Sequence, residues 1–191
     1  MKDHPAPHDS QARRGPLQGG RSSASPPLPL DPIEEAARHW REHGWEDAAD
    51  GMAVVTSLMR AQAIVQSRVD EALKPLQLSF ARFELLALLS FTRTGALPMA
   101  KAGARLQVHP ASVTNAASRL EDAGLVVRRP HPSDGRGVLV EITDAGRKTV
   151  REATERLNEV FRRPELSSAS MVSLVGVLRD LRRDSGDFIG P

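Results

Sequence analysis

Between Pro110 and Leu120 the chain spaces Ser112, Thr114, Asn115, Ser118 and Arg119 among Val113, Ala116, Ala117 and Leu120. On a helix the apolar four fall on one face and the polar five on the other. Short hydrogen-bonding side chains with one arginine suit base edges and phosphate oxygens in a major groove. An ordinary solvated helix face carries more Glu and Lys. A second basic set follows in the stretch Arg128–Gly137, which holds Arg128, Arg129 and Arg136 against one acid, Asp134. Two prolines and two glycines interrupt it, so it reads as a turn-rich loop at the tip of a hairpin. There Arg128 and Arg136 are candidates for phosphate contact, and Arg136 for entry into a narrow minor groove. A merely solubilising turn is the plainer alternative.

A different chemistry is offered by His39-Trp40-Arg41-Glu42-His43, which fits the H-x-x-E-H pattern of some zinc proteases. Histidines four apart on a helix share a face and can hold zinc or nickel. Hydrolysis would need a third ligand and a cleft, and no partner residue stands out. His39 and His43 therefore stay weak candidates for a regulatory metal site, and the simpler reading is a half-exposed helix packed through Trp40 and Trp45. No nucleophile–base–acid set, phosphate loop or paired carboxylates occur elsewhere, so an enzyme is not expected and no cofactor is implied.

The elements that would position these residues are legible in the punctuation. Residues 1–30 hold Pro, Gly, Ser and charge with few large apolar side chains, which predicts a disordered tail. Its Arg13, Arg14 and Arg21 would serve either as a loose solvated tail or as an arm on DNA. Asp31 and Pro32 open a short helix that Gly44 ends. A long helix runs from about Met52 to Lys74, with Val54, Leu58, Ala61, Val65, Val69, Ala72 and Leu76 at helical spacing and Pro75 closing it. Ser79 caps a helix, FARFELLALLSF, that is apolar nearly all round and belongs in the middle of a fold. Met99–Leu106 and the helix opened by Pro110 enclose the turn Gln107-Val108-His109, which makes a helix-turn-helix. Gly124 stops the second helix, and 125–129 and 138–142 read as strands. Thr143 caps a helix to about Phe161. Ser167 or a neighbour starts a last one, striped by Met171, Leu174, Val175, Leu178 and Leu181. A small monomer has little left to cover that stripe, so a homodimer is expected.

Composition sets the outer bounds. The 191 residues carry a formal net charge of +2 and no cysteine. Disulfides, cysteine-ligated metals and thiol sensing are excluded. From Met99 to Lys148 there are eight Lys/Arg against five Asp/Glu, so the basic balance sits where the candidate DNA residues sit. No apolar run approaches the ~18 residues that span a bilayer, and a cytoplasmic protein without membrane contact is expected.

Arg119-Leu120-Glu121, Gly124-Leu125-Val126, Pro132-Ser133-Asp134-Gly135-Arg136 and Ile142-Thr143-Asp144-Ala145-Gly146 together resemble the MarR family of regulators, and the helix order is similar from about Met52 to Phe188. His131 and Ser133 depart from the Asp and Arg that the family often has at those wing positions. The resemblance implies a mainly α fold with a small β-wing, an obligate homodimer through its terminal helices, a palindromic operator on double-stranded DNA, and repression relieved by a small effector. Effectors in the family include phenolic and aromatic compounds, acyl-CoA thioesters and urate. The branch that senses peroxide through cysteine is closed to this chain. Some urate-sensing relatives keep a Trp of an added N-terminal helix near the ligand, which raises Trp40 as a pocket residue beside its plain packing role. Met59, Arg60, Phe80 and Phe83 are the other candidate ligand contacts, with Arg68 a further cation, and core packing or surface charge is the alternative for each.

The expected organisation is a tail over 1–30, an extension helix over 31–48, dimerisation helices over 49–78 and 143–188, and a winged helix-turn-helix over 79–142. The expected function is sequence-specific DNA binding by a ligand-responsive repressor. An architectural DNA-binding protein without effector and a metal-responsive regulator using His39 and His43 are the alternatives.

Overall fold

The computed structural model describes residues 28–106, 110–131 and 134–190, with backbone only at 110 and 134–136. The tail, with Arg13, Arg14 and Arg21, lies outside the described residues, apart from 28–30; so does the Gln107–His109 turn. Among the described residues seven α-helices and three strands follow in the order α1 (Pro32–Glu42), α2 (Glu46–Leu73), α3 (Phe80–Ser90), β1 (Ala96–Pro98), α4 (Met99–Leu106), α5 (Pro110–Asp122), β2 (Val126–His131), β3 (Asp134–Ile142), α6 (Asp144–Phe161) and α7 (Ser168–Asp184). The chain divides into two compact units within α2, between Thr56 and Ser57.

In the first unit Asp31 caps α1, its carboxylate accepting from the Ile33 N–H at 2.9 Å. Ala37 and Ala49 are buried. Trp40 and Trp45 meet edge to face at 5.2 Å between ring centroids, and His43 stacks on Trp45 at 5.8 Å. α2 starts at Glu46, earlier than the expected Met52, because Gly51 is absorbed inside the helix with Glu46 and Asp47 in its first turn.

The second unit is built around α3. Leu85, Leu86 and Leu89 of this helix are fully buried, and α3 packs against α4, α5, α6 and β3. Val69 and Leu73 of α2, Val113, Ala117 and Leu120 of α5, and Val150, Ala153 and Leu157 of α6 complete the core with Val126, Val140 and Ile142 of the sheet. Ser79 caps α3 and Thr143 caps α6, both as the sequence predicts.

The sheet is antiparallel with strand order β1-β3-β2. Here the structure corrects the sequence reading twice. The strands do not stop at Arg129 and restart at Val138. They continue to His131 and from Asp134, so most of the expected loop is a long hairpin. Pro130 is tolerated because β2 is an edge strand and the register shifts between Pro130 and His131. The second correction is β1, three residues that no periodicity announces and that exist as a strand only by pairing with Leu139, Val140 and Glu141 of β3.

Candidate nucleic-acid interface

The recognition-type helix α5 divides as its sequence predicts. Val113, Ala117 and Leu120 are buried and Ala116 is half-buried, while Ser112, Thr114, Asn115 and Arg119 are exposed and Ser118 is intermediate. Burial of the first set fixes the rotation of α5, so the polar set must face outward.

What holds the end of this helix is a node of short bonds. Leu125 N–H donates to the Leu120 carbonyl and Gly124 N–H to the Glu121 carbonyl, each at 2.8 Å, which is a Schellman stop. Gly124 takes the left-handed φ of +70° that this stop requires. Thr143 then ties the turn to α6. Its hydroxyl donates to the Gly124 carbonyl at 2.8 Å and accepts from the Gly146 N–H at 3.0 Å, and its N–H donates to the Leu125 carbonyl at 3.1 Å. A Cβ on Gly146 would lie 2.1 Å from the Leu125 carbonyl oxygen, so only glycine permits this approach. The residues Gly124-Leu125 and Ile142-Thr143-Asp144-Ala145-Gly146 are thus one mechanical joint between α5, the hairpin and α6.

The base of the wing is braced by ion pairs. Arg128 Nε donates to Glu121 Oε2 at 2.6 Å and its backbone N–H to Oε1 at 3.1 Å. The guanidinium holds the Glu121 carboxyl below its ordinary pKa, chiefly through the side-chain hydrogen bond. Arg129 Nε donates to Glu141 Oε2 at 2.8 Å across the hairpin. Arg128, expected as a DNA contact, is seen to fasten the wing to α5, and its partner Glu121 enters the sequence analysis only as part of a motif. A pair seven residues apart across a helix stop has no periodic signal. The backbone of Arg136 lies on β3, and its side chain falls outside the described residues.

A groove of about 550 Å³ opens beside α5, lined by Ser79, Ala81 and Arg82 of the α3 start and by Ser112, Asn115, Ala116 and Arg119. Arg82 escaped the sequence reading, since nothing in its spacing separates it from a surface charge.

The expected effector residues lie on different elements. Met59 and Arg60 lie exposed on α2. Phe80 and Phe83 stack at 6.0 Å and pack against the core. A separate open cavity of about 510 Å³ between α2 and α6 is lined by Arg68, Glu71, Ala72, Arg156, Val160 and Arg163 with Glu159 and Glu165, and none of Met59, Arg60, Phe80 or Phe83 reaches it. Arg68 pairs with Glu165 at 3.2 Å. Trp40 belongs to the first unit, half-buried against Trp45.

Among the described residues His39 and His43 gain no third ligand. His43 Nδ1 donates to the His39 carbonyl at 2.8 Å, and Glu35 and Glu42 are engaged by Arg38. No group of three His, Cys, Asp or Glu able to hold a metal ion occurs among the described residues. No described helix is long and apolar enough to cross a membrane.

Comparison with known proteins agrees with this geometry. Residues 78–138 match the family model "MarR family". The crystal structure of Sco5413, a MarR family transcriptional regulator from Streptomyces coelicolor, is 45% identical, and the match covers 74% of this chain and 99% of that one with a TM-score of 0.67. The chain belongs to the MarR family. As a MarR-family chain it is a transcriptional regulator with a winged helix-turn-helix fold. The regulator ML2140 of Mycobacterium leprae is 33% identical over 106 residues, 56% of this chain and 70% of that protein. BpsR of Bordetella bronchiseptica, whose DNA binding is regulated by 6-hydroxynicotinic acid, is 25% identical over 67% of this chain and 97% of that one, at a TM-score of 0.60.

Proposed function

We propose that this MarR-family regulator is a cytoplasmic, non-enzymatic repressor that reads a palindromic operator as a homodimer and leaves it when a small effector binds. The observation that carries the reading is the division of α5. Its apolar face is locked into the core, and Ser112, Thr114, Asn115 and Arg119 stand exposed at the end of a helix-turn-helix. Residues 79–142 would form the reading head, and 49–78 with 143–188 the dimer layer.

Dimerisation is supported by the apolar surface of α7, where Val172, Val175 and Val177 are 76%, 64% and 62% exposed. Surfaces of that kind mark interfaces. For an effector, the cavity between α2 and α6 sets the apolar Ala72 and Val160 among three arginines and three glutamates, a lining suited to an aromatic compound that carries hydrogen-bonding groups. An effector acts only if it binds the free protein more tightly than the DNA-bound one.

Selection from random duplex DNA at near-physiological salt tests the reading. The expected result is a palindrome whose half-sites lie about 34 Å apart, one helical turn. No enriched sequence, with binding that vanishes as salt rises, would favour an architectural DNA-binding protein instead.

A further inference from the structure

We propose that Arg82 is a phosphate-binding residue that extends the DNA footprint from α5 onto α3. The inference rests on the reading of α5 as the DNA-facing helix. The groove between the two helices is shared, because Ser112, Asn115 and Arg119 line it from the α5 side and also form the exposed face of that helix. Its lining contains two arginines and no carboxylate.

Arg82 is unlike the arginines at the wing base. Arg128 and Arg129 spend their charge on Glu121 and Glu141. Arg82 is half-buried, and its one side-chain bond is from Nε to the Ser79 hydroxyl at 3.2 Å. That bond fixes the guanidinium without neutralising it. Both terminal amino groups are left without an acceptor among the described residues. A partly desolvated guanidinium in this state favours an anion from outside, and a planar fork of donors matches a phosphate. The anion that reaches this position is set by the neighbouring helix. A helix seated in a major groove about 12 Å wide is flanked by two phosphodiester backbones, and a neighbouring element at its side meets one of them. A contact of this kind fixes register and adds affinity without reading sequence.

The test is the salt dependence of binding to the selected operator and to an unrelated duplex, for wild type, Arg82→Gln and Arg82→Lys. Removing one phosphate–cation pair lowers the slope of log K against log salt by roughly 0.9, so removal in both protomers should lower it by about 1.8. The expected result is that slope change in Arg82→Gln, an equal fold-loss on both duplexes, and recovery of most of the slope in Arg82→Lys. Arg82→Gln keeps most of the length of the side chain, and its thermal unfolding identifies a folding defect. Should it be unfolded, Arg82→Lys decides through affinity: an equal weakening on both duplexes at near-wild-type slope is expected, and wild-type affinity on both overturns the assignment. An unchanged slope in Arg82→Gln, with wild type binding the operator steeply, overturns the Arg82 assignment and leaves the α5 reading in place. A loss confined to the operator overturns it too, since that is base reading. If wild type binds no duplex at all, the DNA reading itself falls, and this inference with it.

Discussion

Replacing Gly146 by alanine should loosen the joint that holds the end of α5. A Cβ at this position falls 2.1 Å from the Leu125 carbonyl oxygen and 2.8 Å from Ile142 Cγ1, whereas ordinary contact begins at 3.4 Å. The Ile142 side chain can turn away. The Leu125 carbonyl cannot, because it is backbone and accepts from the Thr143 N–H at 3.1 Å. More than an ångström of displacement must therefore open that bond or shift the start of α6. Overpacking of this kind costs about 1–3 kcal/mol, and loss of the hydrogen bond adds ~0.5–1.5 kcal/mol. Alanine returns up to about 1 kcal/mol of helix propensity. The net loss is on the order of 2–3 kcal/mol. At ~2–4 °C per kcal/mol for a chain of this size, Tm should fall by roughly 4–12 °C. Thermal unfolding followed by circular dichroism at fixed protomer concentration reads this directly. Gly51→Ala is the control, since Gly51 sits inside α2 with nothing within 4 Å of its Cβ position and should gain slightly in stability. A Gly146→Ala protein with the wild-type Tm, or one that rises like Gly51→Ala, would refute the reasoning.

Three further outcomes follow from the same geometry. The Glu121 carboxyl is held below its ordinary pKa by Arg128, so its stabilising contribution is full above pH 4.5 and is lost as pH falls through the lower folded value. The Tm difference between wild type and Glu121→Gln should accordingly be present at neutral pH and shrink on acidification below 4.5; a difference that does not change with pH would contradict the brace. Arg136→Ala should weaken binding to most duplexes and lower the salt slope, and an untouched slope would remove Arg136 from the DNA contacts. Val175→Glu on α7 places a charge in the proposed dimer layer, which costs several kcal/mol per buried unpaired charge, so the dimer Kd should rise at least about a hundredfold by sedimentation; an unchanged association would exclude α7 from the interface.

The parts of the fold that sequence makes legible are those with local punctuation. Asp31, Ser79 and Thr143 each cap the helix predicted from them, Ser167 is the one of its neighbours that caps α7, and Gly124 ends α5 as its position requires. The division of α5 was readable because helical burial has a period, and Val113, Ala117 and Leu120 keep it. What stayed hidden depends on contacts distant in sequence. β1 has three residues and no pattern of its own. The hairpin outran its predicted strands because a bulge and an edge position absorb a proline that would otherwise stop pairing. The Glu121–Arg128 pair and the groove that Arg82 shares with α5 become visible only when α3, α5 and β2 are placed together. The long helix shows the opposite error: expected from about Met52, it begins at Glu46, because the ~1 kcal/mol propensity cost of one glycine, Gly51, is too small to stop a helix.

The central claim is that α5 reads bases in a major groove, and Asn115 gives the most direct measurement of it. Asparagine pairs with adenine through two hydrogen bonds, worth about 1–3 kcal/mol of discrimination. Affinities should be measured for wild type and Asn115→Ala on every single-base variant of the selected operator. The account predicts that the variant loses discrimination at one symmetry-related pair of positions and keeps it elsewhere. Uniform weakening at all positions, or an unchanged preference profile, would contradict it.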